Sequence, residues 1–342
     1  MIRPLFKLQR RFQALFSPLL ASKPSEDPIR SELFSIERFE QHARSLAEAQ
    51  TVTDNPRKGI PLGPRLRENE RILQESFLYL TNEVHQKKPI NPAGEWLIDS
   101  FYVVEEQLRD IKRYLPRGFY RELPKLSRGF LRGSPRVYGL AWAYIAHTDS
   151  RFDSDSLVHF VQSYQKVQPL TIGELWALAV TLRVVMVENL RRVAIQVVKA
   201  HEARREADAF VDELLGVIEE SAGESRPSAE KLKRQSVHPA FLVQLVQRLL
   251  YQDPAGTPAV QWLNEWLAAG KTTAEDLVTS VYHLQAANNL TTRNLVTSFR
   301  TMASFDWQEF VEGVSLVQAV LERHPGFGAM DFMTRNQYRS AV

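Results

Sequence analysis

Cysteine is absent from the 342 residues, which excludes disulfides, thiolate zinc sites, iron–sulfur clusters and a cysteine nucleophile, and fits a reducing compartment. Long apolar runs are missing as well. Even the richest stretch, LWALAVTLRVVMVENL, is broken by Arg183 and Glu188, so no helix apolar enough to cross a bilayer is expected. Period-2 patterns bounded by Asn-Gly or Asp-Gly turns are lacking, and no glycine-rich loop follows an apolar strand. The eight histidines form no HExxH or other close helical pair, and GxSxG, GxGxxG, phosphate-loop and DDxxD patterns do not occur. No catalytic residue, metal site or cofactor is therefore expected.

What is present is charge and helical periodicity. Of 43 basic residues, five (Arg3, Lys7, Arg10, Arg11, Lys23) fall in the first 23 positions, which hold no acid, leaving 38 basic against 40 acidic residues in the remainder. A weakly acidic body cannot neutralise a row of phosphates, which argues against nucleic acid as a partner. The leader MIRPLFKLQRRFQALF places apolar residues among cations at roughly helical spacing. It reads either as a frayed terminal helix or as a segment that lies on an anionic membrane surface. Arg10 and Arg11 sit inside its only apolar region, so a cleaved signal is not expected.

Along residues 92–115, Leu97, Phe101, Val104, Leu108, Ile111 and Leu115 step by threes and fours, which keeps one stripe on a helix. Asn91 and Pro92 supply its start, and Pro116 with Gly118 its stop. Residues 64–87 repeat the pattern, and Trp307, Phe310, Val314, Val317 and Leu321 do so behind an Asp306 cap. The longest stripe runs from Ile172 through Leu175, Leu182, Leu190 and Val197 to Ile218, without a proline between Pro169 and Pro227. Its first half is apolar nearly all round and should be buried; its charged second half should project from the body. All fourteen prolines after Pro28 fall near expected helix ends or in linkers. The fold class is all-α, about twelve helices in a multi-helix bundle with one very long helix near 171–220. The expected organisation is a basic leader over 1–28, a main bundle over 29–222, a polar linker over 223–238 and a smaller bundle over 239–342.

Acidic residues first suggest ligands. Asp149, Asp153 and Asp155 lie in AHTDSRFDSDSL, but a calcium loop counted from Asp153 would need glycine at Val158 and glutamate at Tyr164. Asp153-Ser-Asp155 also spells the metal motif of nucleotide-sugar transferases, which needs an α/β nucleotide domain not expected here; Asp153 reads better as a helix cap. Thr171 with Glu174, and Thr272 with Glu275, are capping boxes. Glu105 and Glu106 diverge by about 100° on a helix and cannot act as a facing acid–base pair. His147, at the end of PRVYGLAWAYIAH, reads as a core or C-cap residue. The segments RYLPRGFYRELPKL and RGSPRVYGLAW differ in kind, mixing Arg117, Tyr120, Arg121, Glu122, Arg136 and Tyr138 in proline- and glycine-fixed loops. Tyr with Arg is typical of recognition surfaces, the alternative being ion pairs of Arg121 and Glu122 that staple helices. With His147 and Asp149 these are the interaction candidates. Trp96, Tyr120 and Tyr138 are candidates for packing on sugar rings, although aromatics at helical spacing usually belong to the core.

Five stretches together resemble the N-terminal cytosolic region of bacterial cyclic β-1,2-glucan synthases: NPAGEWLIDSFYVVEEQLRDIKRYLPRGFYRELPKL, PRVYGLAWAYIAHTDSRFD, YQKVQPLTIGELWALAVTLRVVMVENLRR, NLTTRNLVTSFRTMASFDWQEFVEGVSLVQAVL and MDFMTRNQYR. The likeness runs from about Ile29 onward in the family's segment order. It implies large inner-membrane enzymes that polymerise glucose from UDP-glucose into a protein-bound β-1,2-linked chain, then trim and cyclise it. Glucosyl transfer belongs to a downstream membrane-associated domain, and this sequence reaches Val342 before any membrane helix, acidic metal motif or transferase domain. The resemblance thus implies a non-catalytic scaffold or assembly region, partnered by the remainder of a glucan synthase, on the cytoplasmic face of the inner membrane. A freestanding helical adaptor and an independent carbohydrate-active enzyme are the alternatives.

Overall fold

The computed structural model describes residues 27–53, 62–114, 117–219, 238–252 and 273–341, and there the apolar stripes become helices. Among the described residues these are α1 (Ile36–Ala49), α2 (Leu62–His85), α3 (Pro92–Asp99), α4 (Phe101–Tyr114), α5 (Arg117–Glu122), α6 (Arg136–His147), α7 (Ser154–Gln165), α8 (Ile172–Glu219), α9 (Pro239–Gln252), α10 (Ala274–Ser304), α11 (Trp307–Val314), α12 (Leu316–Leu321) and α13 (Phe332–Ala341). The all-α reading is correct. One strand pair was not anticipated: β1 (Val52–Thr53) runs antiparallel to β2 (Lys125–Leu126), with Val52 opposite Leu126. The basic leader, apart from Asp27 and Pro28, and the linker expected at 223–238, apart from His238, lie outside the described residues.

As far as it is described, the chain forms two compact units. One comprises Leu78–Glu95 and Ala194–Leu290 together with Asp27; the other comprises Pro28–Phe77, Trp96–Val193 and Thr291–Val342.

In the larger unit, α6 is buried along almost its whole length, Trp142 being the part-exposed residue between Arg136 and Ala146. Such a helix has to be covered from several sides. Helix α1 packs on α7, where Phe39 stacks on Phe160 at 4.4 Å and lies 5.6 Å from Tyr144. The first half of α8 is equally buried, through Leu175, Leu178, Leu182, Val185, Met186 and Leu190. The irregular stretch before α1 is fixed to α8 by Asn189, whose Oδ1 accepts from Ile29 N at 2.6 Å and whose Nδ2 donates to Ile29 O at 3.3 Å.

Two stripes read as single helices are interrupted. Residues 92–114 break at the buried Ser100, which separates α3 from α4. Residues 307–321 break at Ser315, whose extended backbone ends α11 and whose hydroxyl accepts from Gln318 N to cap α12. In both cases the apolar spacing continues through the break, because each new helix resumes near the phase of the last.

In the smaller unit, the second half of α8 does not project bare. Ala203, Ala207 and Val211 form a small-residue stripe buried against Ala240, Phe241, Leu242 and Leu245 of α9. Arg248 reinforces the pairing with Asp208 at 3.2 Å and Asp212 at 2.5 Å. The charged outer face, with Glu202, Arg205 and Glu206, remains exposed.

Most caps lie where the sequence put them. Asp153 accepts from Ser156 N at 2.8 Å, Asp306 from Gln308 N and Glu309 N, and Asn91 from Gly94 N at 2.8 Å. Thr272, half of the box expected with Glu275, lies outside the described residues; a box of the same kind forms at Thr273 and Asp276. Thr273 Oγ1 donates to Asp276 Oδ2 at 2.7 Å and accepts from Asp276 N at 3.0 Å, an aspartate three residues on serving as well as a glutamate.

Candidate functional site

The larger unit carries three buried polar clusters around α6 and the first half of α8. In the first, Arg136 begins α6 and Glu174 begins α8. Arg136 donates to Glu174 through Nε at 2.9 Å and Nη2 at 2.5 Å, and also to Gln168 Oε1 and Pro169 O. Glu174 is fully buried and completes the capping box, accepting from Thr171 N at 2.8 Å. One carboxylate therefore serves as both cap and counter-ion.

The second cluster centres on Glu188, in the middle of α8. Arg65 of α2 grips it through Nε at 3.1 Å and Nη2 at 2.5 Å, Asn69 Nδ2 donates at 2.9 Å, and Arg191 and Arg192 close on it from the next turn at 3.1 and 2.9 Å. Burial alone would push this carboxyl up; the Arg65 hydrogen bonds and the charges of Arg191, Arg65 and Arg192 outweigh it and hold the pKa at about 2. Arg192 also lies over the face of Trp142 at 5.1 Å. Tyr138 is buried close to the cluster and its hydroxyl is pushed up to about 12, chiefly by desolvation.

The third cluster is the turn after α6. Asp149 and Ser150 both adopt left-handed backbone, with φ of 47° and 63°, unusual for consecutive non-glycine residues. Side chains from α10 and α8 hold the turn. Thr291 Oγ1 donates to Asp149 Oδ1 at 2.5 Å, Asn294 Nδ2 to Asp149 Oδ2 at 3.2 Å, Ser298 Oγ to Ser150 O at 2.9 Å, and Asn189 Nδ2 to Ser150 Oγ at 2.8 Å. Burial raises the Asp149 carboxyl above its ordinary range, opposed by Thr291, Arg30 and Asn294.

The interaction candidates are thus distributed rather than gathered. Arg136, Tyr138 and Asp149 enter three different clusters. His147 stacks on Phe34 at 4.0 Å, with His42 edge-on at 4.5 Å, and its Nδ1 lies 2.7 Å from Glu32 O. Tyr120 packs against Leu123, Val137 and Ala177, and its hydroxyl is pushed upward by burial. Arg121 and Glu122 are exposed, and the Arg121 carbonyl accepts from Lys125 Nζ at 2.6 Å. The Arg117 side chain lies outside the described residues, and Trp96 is half-buried.

Sequence reasoning missed Glu188, Arg65, Asn69, Arg191 and Arg192. The signal was present: a helix apolar all round that still carries Glu188, Arg191 and Arg192 must pair those charges internally. Among the described residues no group of three or more His, Asp or Glu side chains is arranged to hold a metal ion.

Comparison with known proteins bears on this arrangement. No family model matches the chain. It is 33% identical over 318 residues to the protein named cyclic beta-(1,2)-glucan synthase NdvB of Rhizobium meliloti (strain 1021). The chain resembles a region of a cyclic glucan synthase. The match takes in 92% of this chain but spans only 11% of that synthase. Set beside the resemblance, the three clusters have a common feature: each carboxylate is engaged by arginine or by hydrogen-bond donors. Glu188, held near a pKa of 2, has no proton to give at neutral pH, and Tyr138 keeps its own. No described helix is long and apolar enough to cross a membrane.

Proposed function

We propose that this chain is a non-catalytic helical scaffold or assembly region of a cyclic β-1,2-glucan synthase, with glucan synthesis from UDP-glucose carried out by other domains. The observation that carries the reading is the state of the buried acids. Glu174 and Glu188 are both clasped by arginine side chains from distant helices, an arrangement that ties helices together and occupies both carboxylates. Resemblance to a tenth of a much longer synthase supports a part within a larger assembly. The remainder of a synthase is then the partner, at the cytoplasmic face of the inner membrane.

The test is a replacement. The matched segment of the Rhizobium meliloti synthase is deleted, or exchanged for this chain, and cyclic glucan is measured in membranes supplied with UDP-glucose. The deletion should abolish product and the exchange should restore it, while this chain alone consumes no UDP-glucose. Turnover by the isolated chain would make it an enzyme. Full product after the deletion would leave it a freestanding adaptor.

A further inference from the structure

Three arginines in the larger unit hold a carboxylate in the same way, with the Nε and Nη2 edge of the guanidinium: Arg65 on Glu188, Arg136 on Glu174, and Arg335 on Glu312 at 2.9 and 3.1 Å. That edge carries two parallel N–H bonds whose spacing matches the two oxygens of a carboxylate. Arg339, one turn beyond Arg335 on α13, departs from the pattern. Its Nη1 donates to Glu312 Oε1 at 2.7 Å and to Gln318 Oε1 at 2.5 Å, and its face lies over Phe332 at 5.1 Å. Its Nε and Nη2 have no hydrogen-bond partner among the described residues, although the side chain is wholly buried. Charge does not balance either. Arg335 and Arg339 share the single carboxylate of Glu312, and Gln318, the other acceptor of Arg339, turns its Nε2 to Glu322 at 2.7 Å.

We propose that the Nε and Nη2 edge of Arg339 is a binding site for an oxyanion, a carboxylate or a phosphate. A buried guanidinium cannot shed its proton and gains most from a second anion where the dielectric is low. Because Arg339 is closed to solvent, the anion enters as α13 docks on α11 and α12 and then holds it there. The anion is either a small free ion or an acidic side chain of another protein; the chemistry is the same.

The experiment follows amide hydrogen exchange in the whole chain in acetate and in inorganic phosphate, against chloride at equal ionic strength and pH, and also with a heptaglutamate peptide. At ten times the dissociation constant, exchange over Phe332–Ala341 should slow by about tenfold while the amides of α7 keep their rate. Arg339→Lys keeps the charge but loses the fork and should lose the response; Arg300→Lys, at an exposed arginine, should keep it. Slowing by acetate or phosphate assigns a free anion, and slowing by the peptide alone assigns a side chain. Equal exchange in every medium, slowing spread evenly over the chain, or an undiminished response in Arg339→Lys overturns the proposal. Should that variant fail to fold, the wild-type comparison of Phe332–Ala341 with α7 decides.

Discussion

Gly139 of α6 lies so close to Gln50 that a β-carbon on it would sit 2.8 Å from Gln50 Nε2 and 3.1 Å from Leu126 Cδ1. Gln50 has little room to give. Its Oε1 accepts from Tyr164 Oη at 2.7 Å and its carbonyl from Gln168 Nε2 at 2.8 Å. Gly139→Ala should therefore destabilise the larger unit by about 1–3 kcal/mol, despite the better helix propensity of alanine. Urea denaturation followed by circular dichroism tests this; equal or greater stability of the variant would show that Gln50 can move aside.

Glu188 makes stability depend on acid. Its folded pKa of about 2 lies below the ordinary 4.5, so its contribution is complete above pH 4.5, declines as pH falls, and is gone below about 2. The shift corresponds to about 3 kcal/mol. Glu188→Gln should lose stability of that order at pH 7 and approach the wild type near pH 2–3. A gap that stayed constant across this range would mean that shape rather than charge is what the site needs.

Arg136 and Glu174 should behave as a pair. Arg136→Met leaves Glu174 buried without its cation and should cost about 3–5 kcal/mol, whereas Arg136→Met with Glu174→Leu should recover much of that loss. A double-mutant cycle on unfolding free energy measures the difference. Additive losses would indicate that the Gln168 and Pro169 contacts of Arg136 matter more than the ion pair.

Ser298 holds the left-handed turn from both sides, donating to Ser150 O and accepting from Phe152 N at 2.8 Å. Ser298→Ala leaves both backbone groups buried without this partner, so a loss of about 1–3 kcal/mol is expected. Exchange of the Phe152 amide should speed up by at least about tenfold, more than that of the Leu157 amide, which is bonded to Asp153 O within its own helix turn.

Local chemistry was legible in the sequence and distant pairing was not. Asp153, Asp306, Asn91 and the Thr171–Glu174 box each bond within three residues, so spacing alone revealed them. The breaks at Ser100 and Ser315 escaped notice because the apolar spacing survives them, and a stripe records phase rather than continuity. Arg136 and Asp149 were singled out by residue type, but their partners were not foreseeable: Glu174 is 38 residues from Arg136, and Thr291 is 142 from Asp149. The burial of the first half of α8 was legible from its all-round hydrophobicity. That burial could have been taken one step further, to a demand for counter-charges around Glu188.

The link between Asn189 and Ile29 has a practical consequence. The stretch from Pro28 to Ser35 forms no helix or strand, yet Asn189 engages both polar backbone groups of Ile29, Ser31 N donates to Ala146 O at 2.9 Å, and Phe34 lies flat on His147. A protease must draw several residues into an extended cleft before it can cut, and here Ile29, Ser31 and Phe34 would first have to be peeled from the bundle. Trypsin should therefore spare the bond after Arg30 for as long as the larger unit stays folded, so that irregular backbone and digestible backbone part company in this chain.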